Sequence, residues 1–140
     1  MAQAMELVDE LGSLALFADL PRPQLDAAAH SFEEAWFGEG ERVLREGLTG
    51  SGFYVIIDGQ AVVRAGGKDA AVLGRGDFFG EVSALLGEPP SADVVALNSM
   101  RCLHMAAPDL RPFLTAHPAV MYRMLLDQTR RLRTTTRARG

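Results

Sequence analysis

The order of hydrophobic and polar positions divides the chain into three parts, and the first part has the period of helices. Residues 4–18 carry apolar side chains at helical spacing, interrupted by Gly12. Pro23 can open a second helix, because proline fits the first turn of a helix. The apolar residues that share one face of that helix are Leu25, Ala28, Ala29 and Phe32. The pattern therefore predicts N-terminal helices within residues 1–34.

From residue 35 to residue 105 the pattern changes to that of short strands. Segments rich in Val, Ile and Leu alternate with Gly or Asp breaks about every eight to twelve residues, as in an antiparallel sandwich or barrel. Asp58 and Gly59 predict a hairpin between FYVII and QAVVRA, because Asp-Gly is a preferred two-residue hairpin loop. The next break, GGKD at residues 66–69, consists of turn-forming residues throughout.

After Met105 the helical period returns. Pro108 and Asp109 begin a short helix, and Pro118 opens a longer one. The stripe along the longer helix consists of Val120, Met121, Met124, Leu125, Gln128 and Leu132. Such a stripe packs either on the chain's own sheet or against a second copy of the helix. We therefore expect C-terminal helices over residues 106–133, a polar tail over 134–140, and one mainly β domain with flanking helices over residues 1–140.

Composition narrows the class of protein. A chain of 140 residues is long enough for one domain with a core. No apolar run approaches the ~18 residues of a membrane span, and the acidic N-terminus lacks the basic start of a secretory signal. The single cysteine, Cys102, fits a reducing compartment, and its alternating surroundings favour a small buried hydrophobe over a reactive thiol. We expect a cytoplasmic protein with no membrane contact.

Charge is distributed unevenly along the chain. The net charge is -4, yet all 18 acidic residues precede Thr129, whereas five arginines lie in the last eleven positions. The acidic body would repel a phosphate backbone, so nucleic acid is not an expected partner of this chain alone. The basic end is typical of a solvated helix terminus.

Sequence patterns for catalysis are missing. His30, His104 and His117 pair with no nucleophile in the sequence, and no carboxylate or cysteine cluster has the spacing of metal ligands. We therefore predict no catalytic residue, no metal, no cofactor and no enzymatic activity.

Four segments of the sequence, taken in their order along the chain, resemble a known protein family. They are LFADLPRPQLDAAA, FGEGERVLREG followed by TGSGFYVIIDGQAVV, GRGDFFGEVSALLGEPPSADVVA, and HPAVMYRMLLDQTRRL. Together they resemble the cyclic nucleotide-binding domain family of catabolite activator-type regulators and regulatory subunits of cyclic-AMP-dependent kinase. The resemblance implies a double-stranded β-helix (a jelly-roll β-roll) with N-terminal helices, a C-terminal hinge and a long final helix.

The third of these segments, residues 74–96, resembles the phosphate-binding cassette of the family and is called the cassette below. In the family, a glutamate behind a glycine accepts the ribose 2′-hydroxyl, and a short helix presents backbone amides to the cyclic phosphate, as helix N-termini do for anions. The resemblance thus implies a ligand-binding set made of Gly80, Glu81, Val82, Ser83, Ser91 and Ala92. Glu81 has an alternative interpretation as a residue that caps the short helix.

The second half of the cassette departs from the family pattern. Pro90 stands where the family has a phosphate-binding arginine, and Asp93 stands where it has a hydroxyl residue. A charge-assisted bond to phosphate is worth about 1.5 to 3 kcal/mol, so its loss weakens binding roughly ten- to a hundredfold. An inward-facing Asp93 would repel the anion as well. Arg75 is the nearest cation in sequence, although a solvated turn arginine is its simpler interpretation.

Two functions remain open at this point. We favour a regulatory domain that senses a cyclic nucleotide, cAMP ahead of cGMP, binds it weakly and signals through its C-terminal helix. The alternative is a degenerate domain of the same fold that acts in dimerisation or protein contact without a nucleotide. The stripe on the final helix suggests a homodimer, and Gln128 and Thr129 are candidate readers of the base. The chain is either a free-standing sensor or one piece of a longer protein.

Overall fold

Eight short strands and five helices account for the described part of this computed structural model, which covers residues 2–48 and 52–139. The strands in chain order are β1 (Glu33–Phe37), β2 (Arg42–Leu44), β3 (Phe53–Asp58), β4 (Ala61–Ala65), β5 (Lys68–Leu73), β6 (Phe78–Phe79), β7 (Asp93–Ala96) and β8 (Met100–Met105). They form two antiparallel sheets with the orders β1-β8-β3-β6 and β2-β7-β4-β5. The mainly β class and the jelly-roll arrangement are as predicted.

The N-terminal helices pack on the first sheet. They are α1 (Ala2–Gly12) and α2 (Arg22–His30), with Pro23 in the first turn of α2. A Cβ on Gly12 would lie 2.8 Å from Leu25 Cδ2, so glycine lets the end of α1 approach α2 closely. The predicted boundary between residues 34 and 35 is two residues late, because Glu33 already pairs with His104 of β8.

The two predicted turns have different outcomes. Gly66 and Gly67 form the β4–β5 hairpin loop between the paired residues Ala65 and Lys68, and both glycines have positive φ (59° and 78°). Two consecutive residues with positive φ are what a type I′ turn requires. Lys68 and Asp69 belong to β5 rather than to the turn.

The hairpin predicted at Asp58 and Gly59 is wrong, because β3 and β4 belong to different sheets. The chain crosses between the sheets here, and residues 97–99 hold the crossing. Gln60 N donates to Asn98 Oδ1 (2.8 Å), and Leu97 N donates to Gln60 O (2.9 Å). Gly59 has φ +90°, and a Cβ there would lie 2.4 Å from the Ser99 carbonyl oxygen. The partner of each strand is therefore chosen by distant residues rather than by the Asp-Gly pair.

Alternation along β3 divides the interior into two apolar clusters among the described residues. Phe53, Val55 and Ile57 face a cluster shared with the helices, whereas Tyr54 and Ile56 face the cluster between the two sheets. This is the two-residue period of a strand buried on both faces. Cys102 lies in the inter-sheet cluster at 0% exposure, and burial raises the pKa of its thiol to about 12. The interpretation of Cys102 as a small buried hydrophobe is confirmed.

Three further helices follow the strands or interrupt them. They are α3 (Glu81–Leu86), α4 (Ala107–Ala116) and α5 (Pro118–Arg139), with His117 between α4 and α5. The predicted polar tail is wrong through residue 139, since α5 continues to Arg139. The hydroxyls of Thr129 and Thr134 donate to the carbonyls of Leu125 and Arg130, which satisfies these polar groups within the helix.

The stripe of α5 is divided between the interior and solvent. Val120 and Met124 are buried against the helical cluster. Met121, Leu125 and Leu132 are 45%, 60% and 68% exposed.

Among the described residues, none of the helices combines the length and the apolar content that a membrane crossing requires. Gly140 and residues 49–51, which belong to the predicted tail and to a predicted break, lie outside the described residues.

Candidate functional site

A cavity of about 350 Å³ lies between the second sheet, α3 and the loop at residues 88–92. Its floor is apolar and includes Leu44, Val63, Leu73 and Val94. The residues implied by the resemblance all line it, namely Gly80, Glu81, Val82, Ser83, Ser91 and Ala92. The volume and the apolar walls with a few polar groups are those of a small-molecule site.

Gly80 makes the sharp entry into α3. Its φ is +89°, and a Cβ at this position would lie 2.1 Å from the Gly52 carbonyl oxygen. Glycine is therefore required both by backbone conformation and by the close approach of a second chain segment. Ala84 N donates to Gly80 O (3.0 Å), which closes the first turn of α3. The first-turn amides, including those of Val82 and Ser83, come before this bond and have no acceptor within the helix.

Glu81 is a buried acid at the junction of α3 and α5. It is 5% exposed, its Oε1 accepts a hydrogen bond from Gln128 Nε2, and Arg131 Nη1 lies 3.6 Å from the same oxygen. Its Oε2 is buried and has no hydrogen-bond partner among the described residues. Burial raises the pKa of this carboxyl, opposed by a bond to its own backbone amide and by Arg131 and Gln128. Oε2 is thus a buried acceptor that no described group satisfies.

Arg131 is the site residue that the sequence interpretation missed. It lines the cavity, yet the sequence pattern placed it in a solvated basic end. Its Nε lies 2.9 Å from Asp127 Oδ2, its Nη2 donates to Phe78 O (3.3 Å), and its guanidinium carbon stands 4.7 Å from the centre of the Phe78 ring. The four-residue spacing between Asp127 and Arg131, on a helix that also carries Gln128, was a signal that could have found it.

The two candidate base readers differ in position. Gln128 contacts Glu81, as described above, from the side of α3 that faces away from the sheet. Thr129 is exposed, and its hydroxyl bonds to Leu125 O. The structure therefore brings Gln128 to the edge of the site and leaves Thr129 outside the cavity lining.

Pro90 and Asp93, the two cassette residues that differ from the family pattern, lie differently relative to the cavity. Pro90 is buried in the cavity wall, and its carbonyl accepts a hydrogen bond from Gly47 N (2.9 Å). Asp93 is absent from the lining; its Oδ1 accepts from Glu46 N (2.7 Å), and its Oδ2 lies 3.8 Å from Arg42 Nε. The repulsion expected from an inward-facing Asp93 does not arise in this arrangement.

The side chains of Arg75 and Ser83 have hydrogen-bond partners within the protein. Arg75 donates to the Ile57 carbonyl (2.8 Å) and to Ser13 Oγ (2.7 Å), away from the cavity lining. The Ser83 hydroxyl donates to the Glu88 carbonyl, which ties the start of α3 to the following loop. Arg75 is therefore not a substitute cation, and Ser83 offers its backbone amide rather than its hydroxyl.

A second, apolar groove of about 530 Å³ runs along the other side of α3. It is lined by α3, α4 and α5, with Val82, Leu85, Met121 and Leu125 among its exposed apolar residues. Glu81 and Val82 line both the cavity and this groove. The short helix α3 therefore separates a polar-edged cavity from an apolar surface. Across residues 2–48 and 52–139, three or more potential metal ligands nowhere come together.

Comparison with known proteins agrees with this geometry. The sequence model of the cyclic nucleotide-binding domain matches residues 34–117. The chain is 30% identical over 91 residues to a cGMP-dependent protein kinase of Plasmodium berghei (strain Anka), covering 64% of this chain and 11% of the kinase. The chain therefore spans about a tenth of that relative's length.

Solved structures agree with the fold. The cAMP-bound PfPKA-R structure is similar with a TM-score of 0.80 and 22% identity, over 96% of this chain and 48% of that one. The Thermus thermophilus catabolite activator protein is similar with a TM-score of 0.77 and 28% identity, over 86% of this chain and 59% of that one. These similarities confirm the predicted fold class.

Proposed function

The chain belongs to the cyclic nucleotide-binding domain family, and we propose that it is a non-enzymatic regulatory domain that senses a cyclic nucleotide in the cavity beside α3. The observation that carries the proposal is the buried carboxylate of Glu81, whose Oε2 has no partner among the described residues. A buried acceptor without a donor costs about 1 to 3 kcal/mol. A ribose hydroxyl in the cavity would supply that donor.

The remaining lining fits the other parts of such a ligand. The backbone amides of Val82 and Ser83 lie in the first turn of α3 and would donate to an anionic phosphate. Ser91 and Ala92 line the cavity from the following loop, and the apolar floor would receive the ribose and the base. We assign these contacts to Gly80, Glu81, Val82, Ser83, Ser91 and Ala92.

We propose cAMP ahead of cGMP as the ligand. The support is the cAMP-bound PfPKA-R structure, which aligns with 96% of this chain, although the kinase relative is named for cGMP. Binding is expected to be weak, because Pro90 lines the cavity where the family's arginine would contribute a charge.

Signalling through α5 follows from the position of Glu81. Gln128 and Arg131 of α5 both engage the Glu81 carboxylate. A ligand that occupies this carboxylate changes the free energy of the contacts that hold α5. The output is then a population shift between two positions of α5, which requires that the ligand bind them with different affinity.

The alternative function is a dimerisation or protein-interaction module without a nucleotide. The observation in its favour is the exposed apolar face of α5, which includes Met121, Leu125 and Leu132, next to the groove beside α3. We propose that a second copy of α5 covers this face in a homodimer, a state that is compatible with either function.

Calorimetric titration with cAMP and with cGMP tests the proposed function. We expect the wild-type chain to bind cAMP weakly and Pro90→Arg to bind it roughly tenfold or more tightly, since one charge-assisted bond is restored. Gln60→Arg, which adds the same charge at an exposed position outside the cavity, is the control. If neither the wild-type chain nor Pro90→Arg binds either nucleotide, the sensor function is wrong and the interaction module takes its place.

A further inference from the structure

The cavity contains a cation that does not belong to the cassette. Among the described residues that line the cavity, Arg131 is the one lysine or arginine, and it comes from α5. Pro90, which the resemblance places at the arginine position of the cassette, lies in the wall of the same cavity. Beside the acids Glu81 and Glu88, the lining thus contains one cation, and this cation is attached to a different element of the fold from the cassette.

We propose that Arg131 is the residue that pairs with the anionic phosphate of the ligand, in place of the arginine that the cassette lacks. The inference rests on the proposed function, since it assigns a contact to the same ligand in the same cavity. It differs from the cassette arrangement because the cation is carried by the final helix.

The contacts of the Arg131 guanidinium to its two acidic partners differ in length. The Nε–Asp127 pair is short at 2.9 Å, and stacking over Phe78 supports the same side chain. The Nη1–Glu81 contact is longer, at 3.6 Å. A guanidinium has five donors in a fixed planar fork, so Nε can keep Asp127 while Nη1 exchanges Glu81 for an anion beside it.

Two polar groups of the ligand, its ribose hydroxyl and its phosphate, would favour this exchange. Its ribose hydroxyl donates to Glu81 and satisfies the carboxylate that Arg131 now shares with Gln128. Its phosphate offers Arg131 a full anionic partner, together with the first-turn amides of α3. The phosphate is then held between α3 and α5, and the docked position of α5 becomes part of the binding site.

Three substitutions test the assignment with cAMP in a competition assay against a fluorescent cAMP analogue. Arg131→Gln removes the charge, Arg131→Lys keeps it, and Arg130→Gln is the matched control. Arg130 is the neighbouring arginine of α5, is exposed, and lines a different cleft, with Leu16 and Arg123. A melting curve of each variant checks that the domain is folded.

We expect Arg131→Gln to weaken cAMP binding at least tenfold, Arg130→Gln to change it less than about threefold, and Arg131→Lys to bind more tightly than Arg131→Gln. Equal effects of the two glutamine substitutions would overturn the assignment, because they would indicate a general effect of net charge. A lysine that binds no better than the glutamine would overturn it too, because the claimed contact depends on the charge. A wild-type chain that binds no cyclic nucleotide would instead overturn the proposed function itself.

Discussion

Replacing Glu81 by glutamine tests separately what this carboxylate contributes to folding stability and what it contributes to ligand binding. The Glu81 side chain is 6% exposed, and burial raises the pKa of its carboxyl. Glutamine keeps the length and one carbonyl oxygen of the side chain but removes its charge. We expect the Glu81→Gln domain to be more stable than the wild type without ligand and to bind cyclic nucleotide less tightly.

The magnitude follows from two opposing effects. Leaving a buried polar group unpaired costs about 1 to 3 kcal/mol, and more when the group is charged, so glutamine removes only the additional cost of the charge. The pair with Arg131 offsets part of this cost, but the Arg131 side chain is 37% exposed, and such pairs contribute only about 0 to 1 kcal/mol. We therefore expect a net gain of about 1 kcal/mol, which raises the melting temperature of a domain of this size by about 3 °C. The lost charge-assisted bond to the ribose lowers affinity about tenfold.

The stability difference should depend on pH with a defined sign. Because the pKa of Glu81 is higher in the folded state than its ordinary value of 4.5, the folded state binds the proton more tightly than the unfolded state. Above the folded-state pKa both states are ionised, and the full cost of the buried charge is present. As the pH falls through the folded-state pKa towards 4.5, Glu81 becomes protonated in the fold and the cost disappears. The stability gained by Glu81→Gln over the wild type is therefore greatest at neutral pH and disappears on acidification.

Thermal melting between pH 4.5 and 7.5, with and without cAMP, measures both parts of this prediction. Glu39→Gln, at an exposed position, is the control for loss of one negative charge. A Glu81→Gln domain that melts below the wild type at neutral pH would refute the argument, since it would show that the ionised carboxylate stabilises the fold. An unchanged affinity for cAMP would refute the assignment of Glu81 to the ribose.

Two further predictions concern the entry into α3 and the surface of α5. Gly80→Ala should destabilise the domain in urea unfolding by at least ~1 kcal/mol more than Gly87→Ala, because both glycines have positive φ but only Gly80 approaches another segment within 4 Å. Equal losses would show that the contact with Gly52 relaxes without cost. Leu125→Lys should convert the proposed homodimer to a monomer in sedimentation experiments, whereas Val72→Lys, at an equally exposed apolar position of β5, should not. A wild-type chain that sediments as a monomer at all concentrations would remove the dimer proposal.

Much of the fold could be read from local patterns in the sequence. The helix period in residues 4–18, the strand period after it and the helix opened by Pro118 each depend on neighbouring side chains. The structure has all three elements, although α1 ends at Gly12 and does not continue to residue 18. Gly66 and Gly67 form the expected turn because positive φ is a local demand. The cassette was found because its motif is continuous in sequence, and its residues do line one cavity. Their role in binding stays a prediction.

Two of the errors share a different cause, which is that each depends on residues far away in the sequence. The expected hairpin at Asp58 and Gly59 became a crossing between sheets, because Asn98 and Ser99 approach the turn from another part of the chain. The first strand began early for a similar reason, since β8 pairs with it as far as Glu33. The tail differs for a local reason: α5 continues through its polar residues to Arg139, and the Thr134 hydroxyl bonds to the Arg130 carbonyl within the helix.

The sequence by itself determined the class of fold, the family and the loss of the cassette arginine at Pro90. These follow from periodicity and from a continuous motif, both of which are properties of neighbouring residues. Only the tertiary structure decided that Asp93 turns away from the cavity and that Arg131 lies at its edge. The physical reason is that a side chain's surroundings are set by the element that packs against it. Gln128 and Arg131 of α5 lie about 50 residues from Glu81 in the sequence, and the packing of α5 brings them to its carboxylate.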